Sequence, residues 1–247
     1  MRIIGIIPAR YNSSRFPGKP LVDIMGKSMV QRVYEQAKLS SSLHEVLVAT
    51  DDQRIFDHVK SFGGNVVMTS EHHPSGTDRC YEAYQLFGAK FDVVINVQGD
   101  EPFLAPHQID ELADCFQDAD AQIATLAQSI KSPDLLFNPN KVKVVRDARN
   151  FALYFSRHPL PFQKNLPQDQ WLSHFSYYLH VGLYGYRTEI LGKLTTLPVS
   201  PLEKAESLEQ LRWLENGYRI KVADTQHESH GVDVPEDLIS LLKTFGK

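Results

Sequence analysis

Residues 10–19 place three cationic side chains directly after a short apolar run. Arg10, Arg15 and Lys19 lie in the segment ARYNSSRFPGK, which follows the run RIIGII at residues 2–7. Such a run predicts a buried parallel strand, and open α/β sheets bind ligands at the carboxyl ends of their strands. Cationic side chains and the N–H groups of a turn both suit phosphates. The segment predicts a phosphate-binding loop more strongly than it predicts a surface turn with scattered basic residues.

This loop matches neither of the common phosphate-binding motifs. The sequence contains no GxxxxGK[ST] and no GxGxxG. The first motif defines the P-loop and the second the dinucleotide-binding turn, so both are excluded.

Acidic residues also follow predicted strands and are candidate metal ligands. Asp100 comes after the apolar run VVINV, and Asp233 lies two residues before Pro235. Mg²⁺ in proteins is held by one or two carboxylates together with phosphates and water. Each aspartate could instead cap a helix, and spacing alone leaves both interpretations open. Asp51 and Asp52 form another possible metal pair, although Asp52 is better placed as a helix cap.

Three further segments carry polar residues whose role the pattern leaves open. Residues 75–79 (SGTDR) begin a predicted helix, where N–H groups could hold a phosphate or a base edge. Alone, this segment is more simply a helix cap. His180 lies within YYLHVGLYGY, where an interior histidine with satisfied hydrogen bonds is the default. Glu209 and Gln210 lie on a predicted amphipathic helix over 202–216, on a solvated face or pointing into a cleft.

Composition limits the class of protein. The chain has 247 residues, of which 42% are hydrophobic and 23% charged, and a net charge of −4. Nucleic-acid and membrane-surface binders need a basic excess, so neither partner is expected. No apolar run reaches the roughly 18 residues that span a bilayer. Cys80 and Cys115 are isolated in sequence, which favours a reducing compartment, and we expect a cytoplasmic protein.

Alternating apolar patterns predict an α/β fold built from βαβ units, with a mostly parallel sheet flanked by helices. In the first half we expect strands at 46–49, 66–68 and 93–97 and helices at 52–62, 77–87 and 106–116. In the second half we expect strands at 121–130, 142–146, 152–155, 177–186 and 219–223, the helix over 202–216 and a last helix from Pro235. The proline-rich loop between Arg157 and Ser173 suggests that residues 150–200 form a smaller subdomain or dimer arm within a single domain over 1–247.

A series of segments resembles the 3-deoxy-manno-octulosonate cytidylyltransferase (CMP-Kdo synthetase) family. In the family's order these are IIPARYNSSRFPGKPL, VATDD, SGTDR, NVQGDEP, FNPNKVKVV, ALYFSR, GLYGYR, SPLEKAESLEQLR and GVDVPEDL. They span nearly the whole chain, and the ordered set is far more specific than any one motif. The resemblance implies a nucleotidyltransferase fold with a mixed sheet, and a homodimer. It also implies transfer of CMP from CTP to a Kdo-type sugar acid, with release of pyrophosphate, for lipopolysaccharide synthesis.

The same resemblance implies roles for individual residues. Arg10 and Lys19 would contact the triphosphate, while Asp100 and Asp233 would bind Mg²⁺, and these four would be the catalytic residues. The implied nucleotide site consists of Ala9, Arg10, Ser14, Arg15, Lys19, Ser75 and Arg79. The implied sugar-acid site consists of Gln98, Arg157, His180, Tyr184, Glu209 and Gln210. Within it, the planar guanidinium of Arg157 would clamp the substrate carboxylate.

Three departures from the family pattern leave the sugar acid open. His72 stands where an acidic residue is expected, Leu179 stands where a basic residue is frequent, and residues 158–173 follow no family pattern. An 8-amino analogue of Kdo and another nonulosonic acid are alternative substrates, although YFSR and EQLR favour Kdo. Two further alternatives are an α/β glycosyltransferase that uses Asp51 and Asp52 as its metal pair, and a nucleotide-binding regulator without catalysis.

Overall fold

The computed structural model describes residues 1–12, 15–228 and 230–245. Within them the chain alternates strands and helices. The strands are β1 (Ile3–Ala9), β2 (Asp23–Ile24), β3 (Lys27–Ser28), β4 (Glu45–Thr50), β5 (Val66–Met68), β6 (Val93–Asn96), β7 (Ile123–Ser129), β8 (Lys143–Arg146), β9 (Ala152–Ser156), β10 (Tyr178–Arg187) and β11 (Ile220–Asp224). The helices are α1 (Met29–Lys38), α2 (Gln53–Ser61), α3 (Gly76–Phe87), α4 (Pro106–Asp114), α5 (Pro133–Phe137), α6 (Trp171–His174), α7 (Thr188–Leu194), α8 (Pro201–Glu206), α9 (Glu209–Glu215) and α10 (Pro235–Phe245).

Nine of these strands form one mixed sheet, which confirms the predicted fold class. Its main path runs β11-β7-β10-β6-β1-β4-β5. β1 pairs in parallel with both β4 and β6, and β4 pairs in parallel with β5. β10 enters the sheet antiparallel between β6 and β7. β8 and β9 lie off this path and pair with each other. The smaller unit expected over residues 150–200 stays a prediction, and within that range β10 is part of the large sheet.

The sheet is buried on both faces, as the continuous apolar character of β1 predicts. Successive side chains of a strand point to opposite faces. Ile3 and Ile7 pack in the cluster that includes residues of α1, α2 and α4, whereas Ile4 and Ile6 pack in the cluster that includes residues of α3, α7 and α9. The carboxyl end of β1 is thereby held at a fixed place between two helical layers.

The prediction of one continuous helix over 202–216 is wrong, because the helix is interrupted at Ser207. α8 ends at Glu206 and α9 begins at Glu209. Ser207 adopts a left-handed backbone conformation with φ 53°, which a helix does not tolerate. The apolar side chains continue at helical spacing across the break, so periodicity alone does not reveal it. As a result Glu209 lies in the first turn of its own helix.

Two local predictions concern helix starts and agree with the structure. The carboxylate of Asp52 accepts a hydrogen bond from the N–H of Arg54, so Asp52 caps α2. The hydroxyl of Ser75 accepts one from the N–H of Asp78 and caps α3. Such caps satisfy N–H groups that the helix leaves unpaired. In the described parts of the chain, no helix combines the length and the apolar character needed to cross a membrane.

Candidate active site

A cleft of about 540 Å³ opens where β1 and β6 end. Its wall is formed by residues of both strand ends, the first turns of α3 and α9, and two tyrosines of β10. The two strand ends approach each other closely at Gly99, where a Cβ atom would lie 2.6 Å from the carbonyl oxygen of Pro8. Only glycine permits this approach, so the glycine in the segment QGD at residues 98–100 is required for a steric reason.

Lys19 joins two carboxylates at the mouth of this cleft. Its Nζ lies 2.9 Å from Oδ2 of Asp100 and 4.0 Å from Oδ1 of Asp233, and donates to the carbonyl of Val232 at 2.8 Å. Arg15 pairs with Asp233 from the solvent side at 2.9 Å. The structure therefore brings together residues that are more than 200 positions apart in sequence.

Local backbone geometry on both sides holds this arrangement. Gly18 has φ 73°, and its N–H donates to the carbonyl of Tyr11, which closes the loop and turns the chain into the short 3₁₀ segment Lys19–Leu21. On the other side, Oδ2 of Asp237 accepts hydrogen bonds from the N–H groups of Asp233 and Val234. Because Asp237 satisfies these groups, the carboxylate of Asp233 stays available for cations.

The donor set formed by Asp100 and Asp233 suits a hard cation. Both carboxylates lie within 4.0 Å of the same ammonium group, so they are close enough to act on one ligand. No group of three acidic, histidine or cysteine side chains is suited to a metal ion in the portion of the chain that is described. Two carboxylates completed by phosphate and water are the usual surroundings of Mg²⁺.

Only some of the remaining predicted nucleotide residues line the cleft. Ala9 and Arg10 line the cleft, and the guanidinium of Arg10 donates to the carbonyl of His73. Burial, followed by the nearby charge of Arg79, lowers the pKa of Arg10, yet an arginine keeps its charge in proteins. Ser75 is absent from the described residues that line the cleft. Ser14 lies outside the described residues.

Arg79 is fully buried beside the cleft, where it serves the packing of the protein. Its guanidinium donates to Oγ1 of Thr69 at 2.5 Å and to the carboxylate of Asp51 at 2.6 Å. A buried charge of this kind requires a partner, which Asp51 supplies. Since Asp51 pairs with Arg79 and Asp52 caps α2, the alternative in which these aspartates form a metal pair gains no support from the geometry.

Three of the predicted sugar-site residues line the cleft: Gln98, Tyr184 and Glu209. The amide of Gln98 donates to the carbonyl of Gly182 at 2.7 Å, which ties the end of β6 to β10. Glu209 accepts a hydrogen bond of 3.1 Å from Thr77, and burial raises its pKa. The cleft therefore combines a cationic mouth with a partly buried carboxyl group inside.

The other predicted sugar-site residues lie elsewhere in this structure. His180 lines a neighbouring cavity of about 390 Å³, and its Nε2 lies 3.0 Å from Oγ1 of Thr125. Burial lowers the pKa of His180 to about 3, so its ring is neutral at physiological pH. Gln210 is buried, and the guanidinium of Arg157 donates to three main-chain carbonyls.

Three buried cleft residues with polar side-chain atoms are absent from the predicted site residues. Thr77, Asn96 and Tyr186 all line the cleft and are all buried. The side-chain oxygen of Asn96 has no hydrogen-bond partner among the described residues, so a ligand could supply one. An asparagine inside the otherwise apolar run VVINV was the signal that could have identified it.

Comparison with known proteins places this cleft in context. Residues 4–221 match the cytidylyltransferase family. The chain is 57% identical over 242 residues to the 3-deoxy-manno-octulosonate cytidylyltransferase of Parabacteroides distasonis, with 96% of each chain covered. It is 47% identical over 238 residues to the mitochondrial 3-deoxy-manno-octulosonate cytidylyltransferase of Arabidopsis thaliana, covering 96% of this chain and 81% of the relative.

Solved structures agree with these matches. The structure of CMP:2-keto-3-deoxy-manno-octonic acid synthetase complexed with CTP superposes with a TM-score of 0.91 at 41% identity, covering 100% of this chain and 99% of the other. The 4-diphosphocytidyl-2C-methyl-D-erythritol synthase of Anaerococcus prevotii superposes with a TM-score of 0.63 at 12% identity, covering 100% and 99%, and shows a likeness of fold alone.

Proposed function

This chain belongs to the cytidylyltransferase family, and we propose that it transfers CMP from CTP to the anomeric hydroxyl of a Kdo-type sugar acid, with release of pyrophosphate. The observation that carries this proposal is the convergence of Lys19, Asp100 and Asp233 at the mouth of one cleft. Cations and carboxylates gathered at one point are what a complex of a metal ion and a triphosphate needs. The product would serve lipopolysaccharide synthesis.

The reaction is an in-line displacement at the α-phosphorus of CTP. The anomeric oxygen forms a new bond to phosphorus while the bond to the bridging oxygen of the pyrophosphate group breaks. Phosphoryl-type transfer depends mainly on positioning and on the stabilisation of charge. Lys19 and Arg10 neutralise the charge on the phosphates, and Arg15 reaches the same region from the solvent side.

We propose Mg²⁺ as the cofactor, held by Asp100 and Asp233 together with the phosphates of CTP. A Mg²⁺ ion held there would supply polarisation of the α-phosphate and would help to orient the attacking oxygen. Lys19 supports the carboxylates from the protein side, at 2.9 Å from Asp100. The short distance keeps Asp100 in place before the nucleotide enters, which is the preorganisation that catalysis requires.

The sugar acid would bind deeper in the cleft, beside Gln98, Tyr184 and Glu209. The partly buried carboxyl group of Glu209 and amide oxygens can accept hydrogen bonds from hydroxyl groups, and a sugar acid carries many hydroxyl groups. Asn96 adds an acceptor that lacks a partner among the described residues. This lining supports a polyhydroxylated substrate next to the triphosphate.

We further propose a cytoplasmic homodimer. Cys80 and Cys115 are free and buried, and burial raises the pKa of both thiols, as expected for unreactive cysteines in a reducing compartment. Leu153, Phe162 and Phe175 are exposed apolar side chains in and after β9. Phe162 and Phe175 belong to one aromatic group with Trp171 and Tyr177, and grouped exposed apolar side chains commonly mark a protein interface.

Pyrophosphate release tests the proposed reaction directly. Purified protein is mixed with CTP, Mg²⁺ and in turn Kdo, 8-amino-Kdo and a sialic-type acid. We expect release with Kdo, loss of release when EDTA removes Mg²⁺, and strongly reduced release by the Asp100→Asn variant. Release with the 8-amino analogue alone would reassign the substrate, and no release with any sugar acid would refute the proposed reaction.

A further inference from the structure

Arg157 lies at a junction of three chain segments, with its guanidinium directed at the main chain. Its Nε donates to the carbonyl of Glu206 at 2.7 Å, one terminal nitrogen donates to Pro139 at 3.1 Å, and the other donates to Ser207 at 3.4 Å. Each nitrogen of the guanidinium thus has a carbonyl partner. Three of the five N–H groups are used in this way.

Glu206 strengthens the same junction through its side chain. One carboxylate oxygen accepts from the N–H of Arg157 at 2.9 Å, and the other accepts from the hydroxyl of Ser156 at 2.8 Å. The buried ammonium of Lys143 donates to the carbonyls of Asn138, Lys141 and Arg157. The end of β9 is therefore tied both to the segment before β8 and to the end of α8.

Two of the three carbonyls that Arg157 holds, those of Glu206 and Ser207, lie at the break between α8 and α9. A helix leaves its last carbonyls without partners inside the helix, and an arginine side chain can satisfy them. Ser207 has the left-handed φ of 53° that redirects the chain at this point. Two residues later Glu209 enters the cleft and accepts a hydrogen bond from Thr77.

We propose that Arg157 is a positioning residue that fixes the break between α8 and α9 and thereby holds Glu209 at its place in the sugar site. This inference rests on the proposed function for the role of Glu209 in binding the sugar acid. It differs from a direct contact between Arg157 and the substrate carboxylate, for which two N–H groups remain.

A double-mutant cycle separates positioning from direct contact. We expect Arg157→Ala and Glu209→Gln each to raise the KM for Kdo about tenfold, with little change in the KM for CTP. The KM for Kdo of the double variant should be no more than about threefold above that of Glu209→Gln, because the effects of residues that act as a unit are not additive. A multiplied effect of about a hundredfold in the double variant would overturn the proposal. Arg157→Lys is a milder substitution that keeps the charge but lacks the fork needed to hold three carbonyls, so we expect it to behave like Arg157→Ala.

Amide hydrogen exchange provides a readout that needs no catalysis. We expect Arg157→Ala to accelerate exchange in α9 by about tenfold, because local opening then costs less free energy. Arg187→Ala is the matched control, since its guanidinium also donates to three main-chain carbonyls, those of Phe116, Ala121 and Asp118. Unchanged exchange in α9 of the Arg157 variant would overturn the proposal. A wild-type protein that releases no pyrophosphate would instead refute the proposed function, while the exchange result would still report on the junction.

Discussion

Replacing Lys19 by alanine tests the central arrangement of the site. Nζ of Lys19 lies 2.9 Å from Asp100 and 4.0 Å from Asp233, and the lysine side chain is only 14% exposed. In the proposed reaction, its loss removes one preorganised charge contact to the developing pyrophosphate and leaves Asp100 without its lysine partner. Removal of one such contact costs about 3 kcal/mol of transition-state stabilisation.

That free energy corresponds to a loss of roughly 150-fold in kcat/KM, since each 1.36 kcal/mol is a factor of ten. The assay is steady-state release of pyrophosphate at varied CTP and Mg²⁺, with Tm measured in parallel. Lys27→Ala serves as the control, because Lys27 also pairs with a carboxylate, that of Glu35, but on the exposed surface. Such surface pairs contribute little, so we expect near wild-type activity from this control.

The reasoning would be refuted by a Lys19→Ala protein that folds normally and keeps kcat/KM within about threefold of wild type. That result would mean that the lysine only balances the charge of its carboxylates in the free protein. A loss confined to low Mg²⁺ concentration would locate the effect in metal binding and agree with the proposed role of the two aspartates.

Four further expectations follow from individual groups. Because burial raises the pKa of Glu209, the contribution of this group to wild-type stability falls as pH rises above about 4.5. The Tm of Glu209→Gln should therefore rise relative to the Tm of wild type from pH 5 towards pH 8, while its binding of Kdo weakens. Because burial lowers the pKa of His180 to about 3, wild-type stability falls as pH drops below 6.5, and the Tm of His180→Gln should fall less than that of wild type down to about pH 4. Arg79→Leu leaves the carboxylate of Asp51 without its buried partner and should cost about 3–5 kcal/mol in denaturant unfolding, whereas the double variant with Asp51→Asn should lose clearly less. Light scattering should give twice the chain mass of 28.0 kDa for wild type and a lower mass for Leu153→Glu, and a wild-type monomer would contradict the proposed dimer.

Sequence reasoning predicted the sheet well, because its strands are continuous apolar runs that end in polar segments. The loop after β1 and the segment after β6 were both identified as parts of one site, and the structure places Lys19 beside Asp100. This success has a simple cause: parallel strands bring their carboxyl ends to the same edge. Residues that directly follow parallel strands in the sequence therefore lie near one another at that edge.

The parts that sequence reasoning missed depend on contacts between distant segments. The break at Ser207 interrupts a regular apolar pattern, and the carbonyls bound by Arg157 come from residues that no local motif connects. The burial of Arg79 against Asp51 depends on the packing of α3 against β4 and β5, which the SGTDR motif does not report. Side-chain direction at such points is decided by tertiary packing, which periodicity does not report.

The docking of α10 has a consequence for the order in which the protein matures. Val232 and Leu241 pack with Ile24 and Met29, and the main-chain N–H of Val232 donates to the carbonyl of Asp100. This segment holds Asp233 in place, and all nine strands of the large sheet precede it in the chain. During synthesis on the ribosome, the sheet can therefore form before Asp233 reaches the mouth of the cleft beside Lys19.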